Sequence, residues 1–148
     1  MSRTTARAAA MQLVYEHLSG GQGGDDSLRM VYDEFRAESL PAVRDEDPGL
    51  DDRVFIDRAV EGVKSHLSEI DQAIAGHLHR WTLGNLGRVD LAVMRLAVWE
   101  LLYEEDVPGS VIINEAVELV KTYSAPESGP FVNGVLGSVL RQREADQP

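Results

Sequence analysis

Residues 89–105 read VDLAVMRLAVWELLYEE, and this stretch decides the fold. Its apolar residues cover nearly the whole circumference of a helix. The charged residues that interrupt the pattern before its last position are Asp90, Arg95, Glu100 and Glu104. A helix that is apolar on almost all sides has to be buried on almost all sides. We therefore expect this helix to lie at the centre of the structure.

Six further segments have helical periodicity, and no segment alternates convincingly as a strand. The predicted helices cover about residues 3–18, 28–40, 51–66, 68–78, 89–105, 111–123 and 130–143. Ser68 and Asp71 resemble a capping box at the start of the fourth helix. The connections are short, which favours packed antiparallel neighbours. The sequence thus predicts an all-α bundle of seven helices.

The composition suits a single domain of an intracellular protein. The chain has 148 residues, of which 43% are hydrophobic, enough for a real core. No apolar run approaches the roughly 20 residues that span a bilayer, and the N-terminus lacks the apolar core of a signal peptide. Cysteine is absent, which excludes disulfides and thiolate sites and fits a reducing cytoplasm. We expect a cytoplasmic location.

Charge is distributed unevenly along this acidic chain. The formal net charge is -11, which repels polyanions over most of the surface. Twelve of the 25 acidic residues lie between positions 25 and 61, whereas the first 15 residues carry Arg3 and Arg7 and no acid. We expect both arginines to project past the edge of the core, so that any nucleic acid binds at that end. An acidic body equally suits a basic protein partner.

The acidic and histidine residues form no catalytic or metal-binding pattern. His77 and His79 lie two apart on a predicted helix, about 200° around its axis, and cannot share a metal. The acidic residues 104–106 lie at a helix end beside a turn, where charge is normally solvated. We therefore expect neither an enzyme nor a cofactor.

Several residues of the central and last helices are unusual for their position. Arg95 falls on the inward face, where a guanidinium is costly unless paired, so we expect a carboxylate partner such as Glu100, Asp90 or Glu115. Gly134 and Gly137 predict a smooth groove, which is most often a place where another helix packs closely. Phe131 opens the last helix as a core residue or as an exposed ring that could stack a base beside free N–H groups.

Four segments, taken in order, resemble the NusB family of bacterial transcription antitermination factors. They are AMQLVY at 10–15 after Ala6-Arg7, VDLAVMRLAVWEL at 89–101, INEAVELVK at 113–121 after Val107-Pro108, and FVNGVL at 131–136. Each segment alone is a weak signal, but all four at this spacing are highly specific. The likeness is dense from residue 81 to 140 and sparse from 20 to 51.

The resemblance implies an all-helical fold of two subdomains, with three helices in residues 1–66 and four in 67–148. It also implies binding to the single-stranded boxA RNA of ribosomal RNA leaders. The implied protein partner is NusE, a ribosomal protein of the small subunit. The complex of both proteins on RNA would join RNA polymerase and help it pass terminators.

Site residues follow from the same resemblance. Those matching the family's RNA-contacting segments are Arg3, Thr4, Thr5, Arg7, Lys121, Phe131 and Asn133. Asp90 and Glu100 lie near the expected NusE-facing surface. We expect the RNA-binding residues to form one cationic and aromatic corner on an otherwise acidic body.

This sequence departs from the family pattern where it would contact RNA. The family's N-terminal motif is often richer in arginine and lysine, whereas here Ser2, Thr4, Ala8 and Ala9 leave only two cations. Pro130 stands where some relatives have a lysine. Each lost phosphate contact weakens binding and reduces its salt dependence. We therefore expect poor RNA binding by the protein alone and useful affinity only with a basic partner.

Two other interpretations stay open on sequence grounds. RNA cytosine methyltransferases carry a NusB-like helical domain, although this chain has neither a cofactor-binding α/β domain nor a cysteine. The second interpretation is a protein-only homodimer or scaffold with little RNA binding. The small number of cations near the N-terminus favours it.

Overall fold

The computed structural model describes residues 2–18 and 50–147. Within these ranges the chain is entirely helical and has no strand, which confirms the all-α class. The α-helices are α1 (Arg3–Leu18), α2 (Leu50–Ser65), α3 (Leu67–Ala75), α4 (Arg88–Tyr103), α5 (Gly109–Tyr123) and α6 (Ser128–Asp146), with a 3-10 helix at Leu83–Asn85. The predicted helix at 28–40 lies outside the described residues. No helix of the described ranges combines the length and the hydropathy needed to cross a membrane.

The chain divides into two compact units, unit 1 (Met1–Glu61) and unit 2 (Gly62–Pro148). The division falls within α2, whereas the sequence-based boundary followed His66. The three-helix and four-helix subdomains remain a prediction.

In unit 1, α1 begins at a serine cap. The Ser2 hydroxyl accepts a hydrogen bond from the Thr5 backbone N–H at 3.1 Å, which satisfies one of the unpaired donors of the first helical turn. Every residue from Thr5 to Met11 is buried, so α1 is enclosed around its circumference rather than along the single predicted stripe. Four of these residues are alanines, whose small side chains let neighbouring groups approach on all sides.

In unit 2, α4 packs against α3, α5 and α6, as expected for the central helix. Its buried residues run almost without a break from Ala92 to Leu101. A Cβ atom at Gly62 would overlap the Trp99 indole, so this glycine makes room for the largest side chain of α4. A Cβ atom at Gly109 would come within 2.7 Å of Leu140, so the start of α5 is packed as closely against α6.

Two local predictions for unit 2 are wrong. First, α3 begins at Leu67, and its N-cap His66 makes no side-chain cap hydrogen bond. Ser68 therefore lies inside the helix and does not open a capping box. Second, a Cβ atom at Gly134 would meet nothing within 4 Å, and at Gly137 only the Arg141 guanidinium at 3.4 Å. Among the described residues, no helix packs into the predicted glycine groove.

Candidate nucleic-acid interface

Arginines of α1 and α2 surround one buried aromatic ring in unit 1. Phe55 is 2% exposed, and the guanidinium carbon of Arg3 lies 4.3 Å from its ring centroid. The corresponding distances are 5.9 Å for Arg7 and 6.0 Å for Arg58. Distances up to about 6 Å are within the range of cation–π attraction. Phe55 thus orients positive charge at the N-terminal end of α1.

The three arginines differ in their access to solvent. Arg3 and Arg58 are exposed, whereas Arg7 is only 4% exposed. The expectation that both N-terminal arginines project past the core is therefore wrong for Arg7, because α1 is buried around its circumference. Within the described part of the chain, Arg3 forms no ion pair, and its recorded contact is the Phe55 ring. Arg3 and Arg58 are therefore the accessible cations of this group.

The two threonines of the N-terminal motif have different environments. Thr5 is 6% exposed, and its hydroxyl lies 3.0 Å from the Ser2 hydroxyl. Thr4 is exposed beside Arg3. Thr5 is therefore buried and takes part in the N-terminal cap of α1, whereas the Thr4 side chain lies at the surface.

The second group of predicted RNA-binding residues lies at one end of unit 2. The Ser128 hydroxyl donates a hydrogen bond to Asp90 Oδ2 at 2.9 Å, which joins the first turns of α6 and α4. A Cβ atom on Gly129 would lie 3.3 Å from Cε of Lys121, so α5 ends at the same place. Phe131, half-buried, follows in the first turn of α6.

Lys121 and Asn133 are exposed near this end of unit 2. The Lys121 ammonium lies 3.7 Å from the Glu118 carboxylate, with both side chains more than half exposed. Such a surface pair contributes little energy and leaves the lysine available to another anion. Asn133 lies two residues after Phe131 on the exposed side of α6. Lys121 lies against the first turn of α6, which also carries Phe131. That these residues and the Arg3 group form one corner stays a prediction.

The two carboxylates assigned to the partner surface are both engaged within the protein. Glu100 is 1% exposed, so the expected surface position is wrong for this residue. Asp90 is half-buried, and its Oδ2 accepts the Ser128 hydrogen bond while its Oδ1 is buried without a hydrogen-bond partner among the described residues. The contact of both residues with NusE stays a prediction.

Arg95 makes a bidentate ion pair, but not with any of the three expected carboxylates. Its Nε and Nη2 donate to Asp71 Oδ1 and Oδ2, both at 2.9 Å. The side chains are 15% and 21% exposed, so the pair is largely removed from solvent. The partner comes from α3, which local spacing around Arg95 could not reveal.

An exposed polar cluster joins α4 to the α2–α3 junction. The Tyr103 hydroxyl donates to Glu69 Oε2 at 2.7 Å and lies 3.1 Å from His66 Nδ1, and the His66 ring stacks on Tyr103 at 4.4 Å. The hydrogen bond to Glu69 is the main cause that raises the pKa of Tyr103, with desolvation second. None of the three residues of this cluster is among the predicted RNA-binding residues.

Sequence reasoning missed Phe55 and Arg58 as part of the cationic group. Their three-residue spacing places both on one face of α2, a local signal that was available. The approach of α1 to that face depends on tertiary packing, so the pairing of Phe55 with Arg3 had no local signal.

Comparisons with known proteins identify the family. Residues 4–141 match the NusB family. A transcription antitermination protein NusB of Clostridium botulinum (strain Kyoto / Type A2) is 35% identical over 146 residues, which cover 95% of this chain and 100% of that protein. The NusB of Finegoldia magna is 37% identical over 144 residues, with 97% of each chain covered.

Solved structures agree with this assignment. T. maritima NusB matches with a TM-score of 0.77 and 32% identity, covering 96% of this chain and 92% of that one. A chain in the crystal structure of antitermination factors NusB and NusE with double-stranded RNA matches with a TM-score of 0.73 and 26% identity, covering 95% and 96%. The relatives are antitermination proteins, which confirms the expectation of a non-enzymatic function. This chain belongs to the NusB family.

Proposed function

We propose that this protein is a cytoplasmic antitermination factor that binds the boxA element of ribosomal RNA leaders together with NusE. The complex then joins RNA polymerase and promotes elongation past terminators. One observation carries the RNA half of the proposal: Arg3 is exposed on the Phe55 ring and has no carboxylate partner in the described part of the chain. The relative crystallised with NusE and RNA supports the choice of partners.

An arginine on an aromatic ring is suited to bind phosphate. Stacking occupies one face of the planar guanidinium, and the N–H groups at its edge remain able to donate to phosphate oxygens. The ring fixes the side chain without cancelling its charge. Phosphate contacts of this kind supply the sequence-independent part of RNA affinity.

The acidic surface determines how RNA binding depends on NusE. The net charge of -11 opposes RNA at every point except local basic groups, so the protein alone should bind weakly. A basic partner adds phosphate contacts and compensates the acidic body. We expect affinity for boxA to rise at least tenfold when NusE is present, on the order of 1.4 kcal/mol.

A gel-shift titration of a boxA oligonucleotide with the protein, alone and with NusE, tests this proposal. Equal affinity in both titrations would contradict the role of the partner. Arg3→Ala with Phe131→Ala should lose boxA affinity while keeping helicity and NusE binding. Sedimentation of the free protein and of each mixture gives the stoichiometry. A homodimer that does not bind boxA would instead favour the function of a protein-only scaffold.

A further inference from the structure

The connector between α3 and α4, together with the helix ends that flank it, differs in charge from the rest of the chain. Residues 72–89 contain no aspartate or glutamate, although the protein carries 25 of them. The same 18 residues hold Arg80, Arg88, His77 and His79. An acidic protein that keeps one segment free of acids offers a local site for an anion there.

An exposed tryptophan lies within this segment. Trp81 is 51% exposed, more than any other large hydrophobic residue among those described, and Arg80 and Arg88 are exposed on either side of it in sequence. In the described part of the chain neither arginine forms an ion pair. The nearest acid that follows, Asp90, already accepts the Ser128 hydrogen bond. The segment therefore combines a free aromatic face with uncompensated positive charge.

Hydrogen bonds order the backbone that presents Trp81. The Thr82 hydroxyl donates to Asn85 Oδ1 at 2.6 Å, and the Asn85 N–H donates to the Thr82 carbonyl at 3.0 Å. These bonds close the 3-10 turn directly after the tryptophan. An aromatic ring on an ordered turn loses little conformational entropy when a base stacks on it.

The connector also adjoins the predicted RNA-binding end of unit 2. Arg88 begins α4, two residues before Asp90, and Asp90 is bonded to Ser128 in the first turn of α6. Phe131 lies in that same part of α6. The Asp90–Ser128 hydrogen bond therefore joins the helix turn that carries Arg88 to the helix turn that carries Phe131.

We propose that Trp81, Arg80 and Arg88 form a further contact for single-stranded RNA, continuous with the Phe131 end of unit 2. Trp81 stacks on an unpaired base, and the two arginines bind the flanking phosphates. Stacking on an aromatic side chain tolerates any base, so this contact adds affinity more than sequence selectivity. The inference rests on the proposed function, since it extends the same RNA-binding activity.

Binding of a boxA oligonucleotide by the complex with NusE tests the contact. Trp81→Ala should weaken binding about 5- to 150-fold, as removal of a stacking platform does, and Trp81→Phe should retain most of the affinity. Tyr103→Ala removes another exposed aromatic ring from unit 2 and serves as the matched control, with no change expected. Circular dichroism establishes that each variant is folded.

Tryptophan fluorescence of the protein alone at low salt gives a direct readout. The chain has two tryptophans, and Trp99 is 3% exposed, so a stacked base should quench only the Trp81 emission. Trp81→Phe should abolish the quenching. Heparin, which supplies anionic groups without bases, should bind without quenching.

The outcomes separate this proposal from the function on which it rests. If the wild-type complex binds boxA and Trp81→Ala binds equally well, the contact is refuted and the function stands. If Trp81→Ala lowers affinity for NusE but not for RNA, the surface is a protein interface and the proposal is overturned. If the wild-type complex binds no RNA, both the Trp81 contact and the proposed function are refuted.

Discussion

Arg95 in unit 2 and Arg3 in unit 1 are the same residue type in opposite situations. Arg95 is largely buried, and Asp71 takes up its guanidinium through two hydrogen bonds of 2.9 Å. Arg3 is exposed, and its guanidinium lies on the face of Phe55 at 4.3 Å. A carboxylate compensates the positive charge, whereas a ring only orients it. The first arginine therefore stabilises the fold, and the second presents its charge at the surface.

The largest effect should come from breaking the interior pair with Asp71→Ala. The substitution leaves the Arg95 guanidinium largely buried without its carboxylate, and loss of one partner of a buried pair costs about 3–5 kcal/mol. Because both side chains retain some exposure, we expect a loss of about 2–4 kcal/mol in the free energy of unfolding. Urea denaturation measures this loss.

Glu118→Ala is the matched control for that experiment. It removes a carboxylate from the exposed pair with Lys121, and such pairs contribute about 0–1 kcal/mol. If the two variants lost the same stability, the distinction between the interior and the surface pair would be wrong.

Two glycine substitutions test how closely the interior of unit 2 is packed. Gly62→Ala forces a methyl group into the Trp99 indole, and overpacking of this kind costs about 1–3 kcal/mol. Gly134→Ala should act oppositely and gain about 0.5–1 kcal/mol, because its methyl group meets open space and alanine favours the helix. Thermal unfolding of both variants checks the sign. Stabilisation by Gly62→Ala would contradict the observed packing.

Arg3→Ala tests the role of the exposed arginine in the comparison. The exposed cation–π contact contributes about 0.5–1 kcal/mol to stability, so the variant should stay folded. Its affinity for boxA in the complex with NusE should fall by about 1–2 kcal/mol, roughly 5- to 30-fold, through loss of a charged hydrogen bond to phosphate. Arg141→Ala removes an exposed arginine far along α6 and should bind normally. Equal losses in both variants would indicate a general charge effect.

The smallest effect concerns the exposed hydrogen bond that the Tyr103 hydroxyl donates to the Glu69 carboxylate. Glu69 raises the pKa of Tyr103 above its ordinary value of 10.0, so the folded state retains the phenol proton that the unfolded state releases first. The stabilisation is fully present below pH 10 and is lost as pH rises through the higher folded pKa. The stability difference between wild type and Tyr103→Phe should therefore shrink above pH 10. A constant difference across that range would argue against the hydrogen bond.

Helix periodicity in the sequence was sufficient to predict most of the described fold. The pattern at 89–105 predicted α4 closely, because its apolar residues cover the helix on all sides. Helix starts were harder. The Ser68–Asp71 spacing suggested a cap, but tertiary packing pairs Asp71 with Arg95 and begins α3 one residue before Ser68. Local spacing alone could not identify a partner 24 residues away.

The candidate site was predictable to a smaller extent. Family resemblance selected Arg3 and Phe131, but the burial of Arg7 and Glu100 depends on packing that sequence patterns do not contain. Helix periodicity does not predict the exposure of Trp81, because the exposure of a large aromatic residue is a property of the folded chain. The absence of acids around it, by contrast, is a property of the sequence alone.

The salt dependence of boxA binding by the NusE complex tests most directly that Arg3 meets a phosphate. For single-stranded RNA, each phosphate contact contributes about 0.7 to the slope of log affinity against log salt concentration. Arg3→Ala should reduce the slope by about that amount, whereas Arg141→Ala should leave it unchanged. An unchanged slope for Arg3→Ala would mean that its guanidinium does not bind RNA.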